Sequence, residues 1–344
     1  MSSRRSASEI TKLVQNRVKE RDLWKIHGRV EGTHPPPGII FHSMDKNLFG
    51  MQHASQEELD HDFPVQALDW NKLEGDEDSI RVSWLGHASM LVQMKGFNFL
   101  TDPVFSQRCS PSQWIGPKRH RQPPCTLEDL CEIVRIDAVL ISHNHYDHLD
   151  YFSCCDILRF CSGKPAFVVP LGLQHWFQSY TDADDIRELD WHETTTINNT
   201  HITGAPARHW SNRVGDRDRS LWCGYAVESI ETKKRFFYPG DTAWFDDLTE
   251  IGKKYGPFDV AAIPIGAYEP RNFMRYYHIN PEEAVLMKDA IQAKCAVPFH
   301  YGTFPLTIEP ITEPACKLEQ LMKDREDSNS FQPWLIGETR VFAR

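Results

Sequence analysis

The chain has 344 residues, 40% hydrophobic and 25% charged, with a formal net charge of −10. That length and balance suit one large core or two modest ones and exclude a chain disordered throughout. The acidic excess argues against a general nucleic-acid binder, which needs a basic footprint to meet phosphates.

In chain order, residues 1–76 read as an N-terminal extension and residues 77–344 as the folded body. The opening Met1–Ile10 lacks the apolar core of a secretory signal. The longest apolar run, Phe258–Tyr268, is interrupted by Asp259 and Pro264 and is too short to cross a bilayer. The expectation is a chain with neither signal peptide nor transmembrane helix, on the cytosolic side. Nine cysteines, an odd number without zinc-ribbon spacing and with Cys154 and Cys155 adjacent, predict reduced thiols. A basic, helix-compatible stretch spans Ile10 to Trp24; Pro35–Gly38 and the acidic Leu73–Asp78 follow.

From Ile80 the pattern changes. Ile80–Leu85 and Ser89–Met94 are strand-like runs in quick succession, which predicts an antiparallel meander. Helical segments at 244–255 and 281–293 then alternate with strands. The second opens with Asn280-Pro281-Glu282-Glu283, where Asn280 would cap, Pro281 suits the first turn and the two acids complement the helix dipole. An α/β chain of this kind fits an αββα sandwich of two mixed sheets flanked by helices.

The chemistry concentrates at Ser142-His143-Asn144-His145-Tyr146-Asp147-His148, directly after the buried-strand pattern Asp137–Ile141. Imidazole and carboxylate are ligands of catalytic metal sites, and the thiolates of closed structural sites are absent here. His143 and His145 alternate as strand neighbours do, so both can face one ion; Asp147 and His148 follow a turn and point elsewhere, which predicts two ions. Further ligands recur at strand ends: His209 after Thr200–Ala207, Asp241 after Arg235–Gly240 and His300 after Lys294–Phe299. Asp241 follows a glycine that permits a sharp turn and is suited to bridge two ions through its two oxygens. Asp102, in Leu100-Thr-Asp-Pro103, is a candidate to orient an imidazole.

This order of ligands resembles the metallo-β-lactamase superfamily. The resemblance implies that His143, His145 and His209 hold one ion, that Asp147, His148 and His300 hold the other, and that Asp241 bridges them. A narrower resemblance, carried by Val82–Ala88, Leu100–Pro103, Ser110–Gln113, Gly116–Arg119, Ile136–Tyr151, Gly256–Asp259, Ala262–Arg271 and Pro281–Ala284, is to the N-acylphosphatidylethanolamine-hydrolysing phospholipase D family. It implies a homodimeric enzyme with two Zn2+ ions at the cytosolic face of intracellular membranes. There it would release N-acylethanolamine and phosphatidic acid from N-acylated phosphatidylethanolamine, a metal-bridging hydroxide attacking phosphorus. Asp147 and Asp241 would then be catalytic, Asp147 orienting the water or helping accept a proton. His278 would bind a substrate carbonyl, and Gln113, Tyr146 and Tyr151 would line the groove. Tyr277 and Tyr301 depart from the family pattern, which bears on acyl-chain preference rather than on the ligands. Contact with the membrane is expected from Lys118–Arg121 as a basic patch and from Trp114 and Ile115. Leu13, Val14, Val18, Leu23 and Trp24 either join that contact or pack on their own domain. A soluble lactonase, thioesterase or phosphodiesterase would share all seven ligands.

Overall fold

The computed structural model describes residues 5–24, 56–73 and 78–343. Pro35–Gly38 and most of the acidic Leu73–Asp78 stretch therefore lie outside the described residues. Two sheets form the centre. The first has the order β13-β1-β2-β3-β4-β5-β6, built from β1 (Ile80–Gly86), β2 (Ser89–Met94), β3 (Phe97–Thr101), β4 (Ala138–Leu140), β5 (Ala166–Pro170), β6 (Ile186–Leu189) and β13 (Thr339–Phe342). The second has the order β12-β11-β10-β9-β8-β7, from β7 (Thr194–Ile197), β8 (Thr200–Ala205), β9 (Gly224–Ser229), β10 (Arg235–Tyr238), β11 (Phe258–Pro264) and β12 (Ala293–Phe299). Both are mixed: the predicted β1–β2–β3 meander is antiparallel, while β3 to β6 run parallel.

Strand alternation sorts side chains into two layers. Val82, Trp84, Met90, Val92, Phe97 and Phe99 point between the sheets and meet Val227, Phe236 and Tyr238. Leu85, Leu91, Leu100, Val139 and Ile141 point the other way, under α3 (Leu127–Ile133), α4 (Tyr151–Phe160) and α5 (Gln174–Tyr180). On the far side α6 (Leu248–Tyr255), α8 (Pro281–Ala290) and α9 (Glu313–Met322) supply Leu248, Ile251, Ala284, Met287, Leu318 and Met322. The sandwich is αββα, as its alternating patterns predict. Asn280 caps α8, as read, and does so in a capping box with Glu283; the helix stops at Ala290, short of the expected 293, because Gln292 takes φ +59° and β12 begins one residue later.

Two helices, α1 (Ala7–Leu23) and the shorter α2 (Gln56–Asp62), precede the sandwich. The apolar residues of α1 pack on the protein itself: Val14 is buried, and Trp24 stacks on Trp191 (5.2 Å) and Phe245 (4.3 Å), while Leu23 alone of the five is largely exposed. Among the described residues no helix is long and apolar enough to cross a membrane.

Two expectations fail. Cys131 and Cys161 are joined by a disulfide, because α3 and the end of α4 pack together and bring their Cα atoms within 4.7 Å. The other seven cysteines, Cys154 and Cys155 among them, are free. The Lys118–Arg121 patch is not a basic surface. Arg119 turns inward to the carbonyls of Ser106 and Val104, and Arg121 turns inward to Asp60 and the Leu59 carbonyl, each leaving about 4% exposure.

Candidate metal centre

Strand ends deliver the candidate ligands. His143 to His148 follow β4, His209 follows β8, Asp241 follows β10 and His300 follows β12. Gly240 makes the approach of Asp241 possible: its φ is +62°, and a Cβ there would lie 2.5 Å from Cβ of Ser142. Two histidines also take left-handed backbone, His87 at φ +51° and His300 at φ +65°, a conformation that persists only where surroundings enforce it. Hydrogen bonds hold both, since the His300 N–H donates to the His87 carbonyl (3.1 Å) and the His87 N–H donates to Thr303 Oγ1 (2.7 Å).

All seven candidate ligands converge. One ligand atom each from His143, His145 and His209 lie within 4.8 Å of one another, and so do those of His87, Asp147, His148 and His300. Asp241 lies between the two groups: its carboxylate is 3.1 Å from Nε2 of both His148 and His300, 3.7 Å from Nε2 of His209 and 3.9 Å from Nε2 of His143.

Hydrogen bonds fix which imidazole nitrogen faces inward. His209 Nδ1 donates to the Tyr277 carbonyl (3.0 Å), which leaves the Nε2 lone pair inward. His143 Nδ1 donates to Ser142 Oγ (2.9 Å), whose own proton goes to Asp102, so its Nε2 also presents a lone pair. Both face Nδ1 of His145, at 2.8 and 3.2 Å. His148 Nδ1 donates to Asp102 (2.6 Å), and its Nε2 lies 3.2 Å from Nε2 of His300. Asp102 thus does orient an imidazole: fully buried, it also accepts from the Ser142 N–H and hydroxyl and from the Tyr238 hydroxyl.

The charges are strongly coupled. Burial and neighbouring imidazoles push His143 and His209 well below the ordinary histidine range, and burial takes His145 down to about 4. Burial opposes charge on His148 and His300 too, but Asp241 and Asp147 outweigh it, raising His148 and taking His300 up to about 9. For Asp147 and Asp241 burial favours the neutral acid; the surrounding imidazoles overcome it and hold both carboxyls well below the usual range. Two buried carboxylates therefore demand positive charge between the two groups. Without an ion, the two carboxylates favour protonation of His148 and His300.

Of the predicted substrate contacts, His278 enters the cluster, with its ring 5.1 Å from His209 and 5.3 Å from His300 and Nδ1 3.9 Å from Asp241. That Nδ1 is buried without a hydrogen-bond partner. Tyr146 lies under the Arg213 guanidinium (3.9 Å) beside Val104 and Phe304. Gln113 closes its own loop by two hydrogen bonds to the Arg108 backbone, and Tyr151 sits on the first turn of α4 against Trp176. Sequence reasoning missed His87. Its Nε2 lies 3.0 Å from Asp147 Oδ2 and burial takes its imidazole down to about 3. A histidine in the Gly86-His87 turn at a strand end was the signal.

With this geometry in place, comparison with known proteins is decisive. Residues 97–301 match the beta-lactamase superfamily domain. The N-acyl-phosphatidylethanolamine-hydrolyzing phospholipase D 1 of Caenorhabditis elegans is 41% identical over 295 residues, covering 81% of this chain and 80% of that one. This chain belongs to the N-acylphosphatidylethanolamine-hydrolysing phospholipase D family. A mitochondrial member from Saccharomyces cerevisiae is 35% identical over 257 residues, covering 72% of this chain and 53% of its own. Among solved structures, the metallo hydrolase Igni18 of Ignicoccus hospitalis superposes with a TM-score of 0.58 at 22% identity, over 77% of this chain and 99% of that one, which supports the fold. As a member of the phospholipase D family the protein is a metal-dependent hydrolase.

Proposed function

We propose that the protein is a zinc-dependent phospholipase D that hydrolyses N-acylphosphatidylethanolamine to N-acylethanolamine and phosphatidic acid. The observation that carries this reading is the convergence of both ligand groups on Asp241 in a chain 41% identical to an enzyme named for that reaction. The donor set fits two zinc ions: Nε2 of His143 and of His209 both point at Nδ1 of His145, at 2.8 and 3.2 Å, which gathers three imidazole nitrogens, the donor type zinc takes, around one point. His143, His145 and His209 would hold one ion, Asp147, His148 and His300 the other, and Asp241 both. Bound zinc would supply Lewis-acid polarisation of phosphoryl oxygens and acidify water near neutral pH.

The chain's own residues do the rest. Asp102 and the Tyr277 carbonyl fix the tautomers of His148 and His209. Asp147, bonded to His87, has a buried imidazole with which to share a proton. His278 Nδ1, unpaired and facing Asp241, is free to donate to a substrate carbonyl. Trp114 and Ile115, 89% and 76% exposed, are the apolar contact for peripheral attachment to the cytosolic face of intracellular membranes. A homodimer belongs to the same reading through the family resemblance.

The test uses N-acylphosphatidylethanolamine vesicles with zinc-loaded wild type, Asp147→Asn and His278→Ala, following N-acylethanolamine by mass spectrometry. Release that Asp147→Asn abolishes and His278→Ala weakens supports the assignment. A metal-replete protein that releases none refutes it and turns the search to soluble lactones, thioesters and phosphodiesters.

A further inference from the structure

One buried cation is not accounted for by the hydrolase domain. Arg21 comes from α1, outside the segment that matches the superfamily domain, yet it is only 5% exposed and lies against a candidate ligand. Its Nη1 donates to the backbone carbonyl of His209 (2.9 Å), 188 residues away. The same nitrogen is 3.5 Å from Asp218 Oδ2, and the guanidinium plane lies 4.9 Å over the Trp222 ring. Asp218 closes the segment that follows His209: it accepts from the Ser211 N–H (3.2 Å), and its own N–H donates to the Ser211 carbonyl (2.8 Å). From the other side Arg208, next to His209, donates through Nη1 to the Arg21 carbonyl (3.3 Å) and to that of Trp24, so the ends of α1 and of this loop are tied reciprocally. Trp24, stacked on Trp191 and Phe245, and Arg17, paired with Asp190, hold the helix down.

We infer that Arg21 is a positioning residue of the metal centre: it fixes the backbone of His209 and so sets the zinc affinity of the half formed by His143, His145 and His209. The His209 ring is anchored at Nδ1 by the Tyr277 carbonyl; its backbone is anchored by Arg21. Remove Arg21, and the buried His209 carbonyl loses its donor while the half-buried Asp218 carboxylate keeps only the more distant cation Arg217 (3.9 Å). The loop then relaxes to rehydrate them and carries the His209 ring with it. The other half takes its support elsewhere: His148 is fixed by Asp102 and His300 by the His87–His300 backbone pair. The N-terminal helix thereby completes a site whose ligands all lie more than a hundred residues downstream.

The inference rests on the metal reading given above, and the experiment separates the two. Zinc binding to the full chain is measured by elemental analysis and isothermal titration calorimetry, with Arg21→Met placed in two backgrounds. In His300→Ala, where the His143–His145–His209 half remains intact, Arg21→Met is expected to weaken the remaining zinc by about 10- to 100-fold, the range for groups that orient a metal ligand. In His145→Ala, where the other half remains, it is expected to change zinc affinity less than 2-fold. Equal weakening in both backgrounds, or none in either, overturns the positioning role. A wild type that binds fewer than two zinc equivalents overturns the metal reading, and the inference with it. Should Arg21→Met fail to fold, Arg21→Lys, which keeps a cation beside Asp218 and loses the guanidinium geometry, is read by the same criterion.

Discussion

Replacing Asp102 with Asn perturbs the metal centre without touching a candidate ligand. One carboxylate oxygen accepts from the Ser142 N–H (2.7 Å); the other accepts from His148 Nδ1 (2.6 Å), the Ser142 hydroxyl and the Tyr238 hydroxyl, all fully buried. An amide has one acceptor oxygen. Turned to the crowded side, it leaves the Ser142 N–H facing a second donor, an unpaired buried group that costs about 1–3 kcal/mol. The three bonds that remain lose the charge that strengthens them, roughly 1 kcal/mol apiece. We therefore expect Asp102→Asn to destabilise the metal-free protein by about 4–6 kcal/mol, which overlaps the range for breaking a buried charged pair. Because the bond that fixes the His148 tautomer loses its charged acceptor, zinc affinity should also fall about 10- to 100-fold. Urea unfolding followed by tryptophan fluorescence gives the first quantity and zinc competition against a chelating dye the second. A variant within about 0.5 kcal/mol of wild type, the scatter of neutral surface changes, with unaltered zinc affinity would refute the reasoning.

Other expectations follow from the same geometry. Gly240→Ala places a Cβ 2.5 Å from Ser142 Cβ at φ +62° and should cost at least about 2 kcal/mol, seen as a lowered urea midpoint together with weakened zinc binding. Trp24→Ala removes a ring packed between Trp191 and Phe245 and should cost about 3–5 kcal/mol in the same unfolding measurement. Metal-free stability should peak near pH 6.5. Toward acid, His145 and His278, held at about 4, resist protons that the unfolded chain accepts; toward base, His300 keeps its proton until about 9, and the stabilisation it contributes below 6.5 is lost as pH rises to that value. Thermal melts from pH 5 to 9.5 should show both limbs, and His300→Ala should shrink the alkaline one without abolishing it, because His148 is raised as well. Zinc, which binds deprotonated ligands, should add the more stability the higher the pH across this range.

How far the sequence could be read depended on whether a residue acts through its neighbours in the chain or through the fold. His143, His145, Asp147 and His148 are adjacent, and His209, Asp241 and His300 each close a strand pattern, so all seven candidates were legible and the structure brings all seven together. Their order resembles the superfamily, and segments beyond the ligands, such as Val82–Ala88 and Ala262–Arg271, carry the narrower family resemblance. His87 was not legible as a site residue, because a single histidine in a turn gains its meaning from Asp147, 60 residues later. The Cys131–Cys161 bridge joins residues 30 apart on packed helices, and no spacing rule foretells that packing. Lys118–Arg121 misled because side-chain direction is tertiary: two of the arginines face inward to carbonyls. The packing of Trp24 and Arg21 onto the domain is of the same kind, since helical periodicity shows a face but not what covers it.

The central claim is hydrolysis at phosphorus, and oxygen tracing tests it most directly. Zinc-loaded protein is incubated with N-acylphosphatidylethanolamine vesicles in water enriched in oxygen-18, and both products are weighed by mass spectrometry. The account predicts one heavy oxygen in the phosphate of phosphatidic acid and none in N-acylethanolamine. Label in the ethanolamide hydroxyl, or release of fatty acid in place of these products, would contradict it.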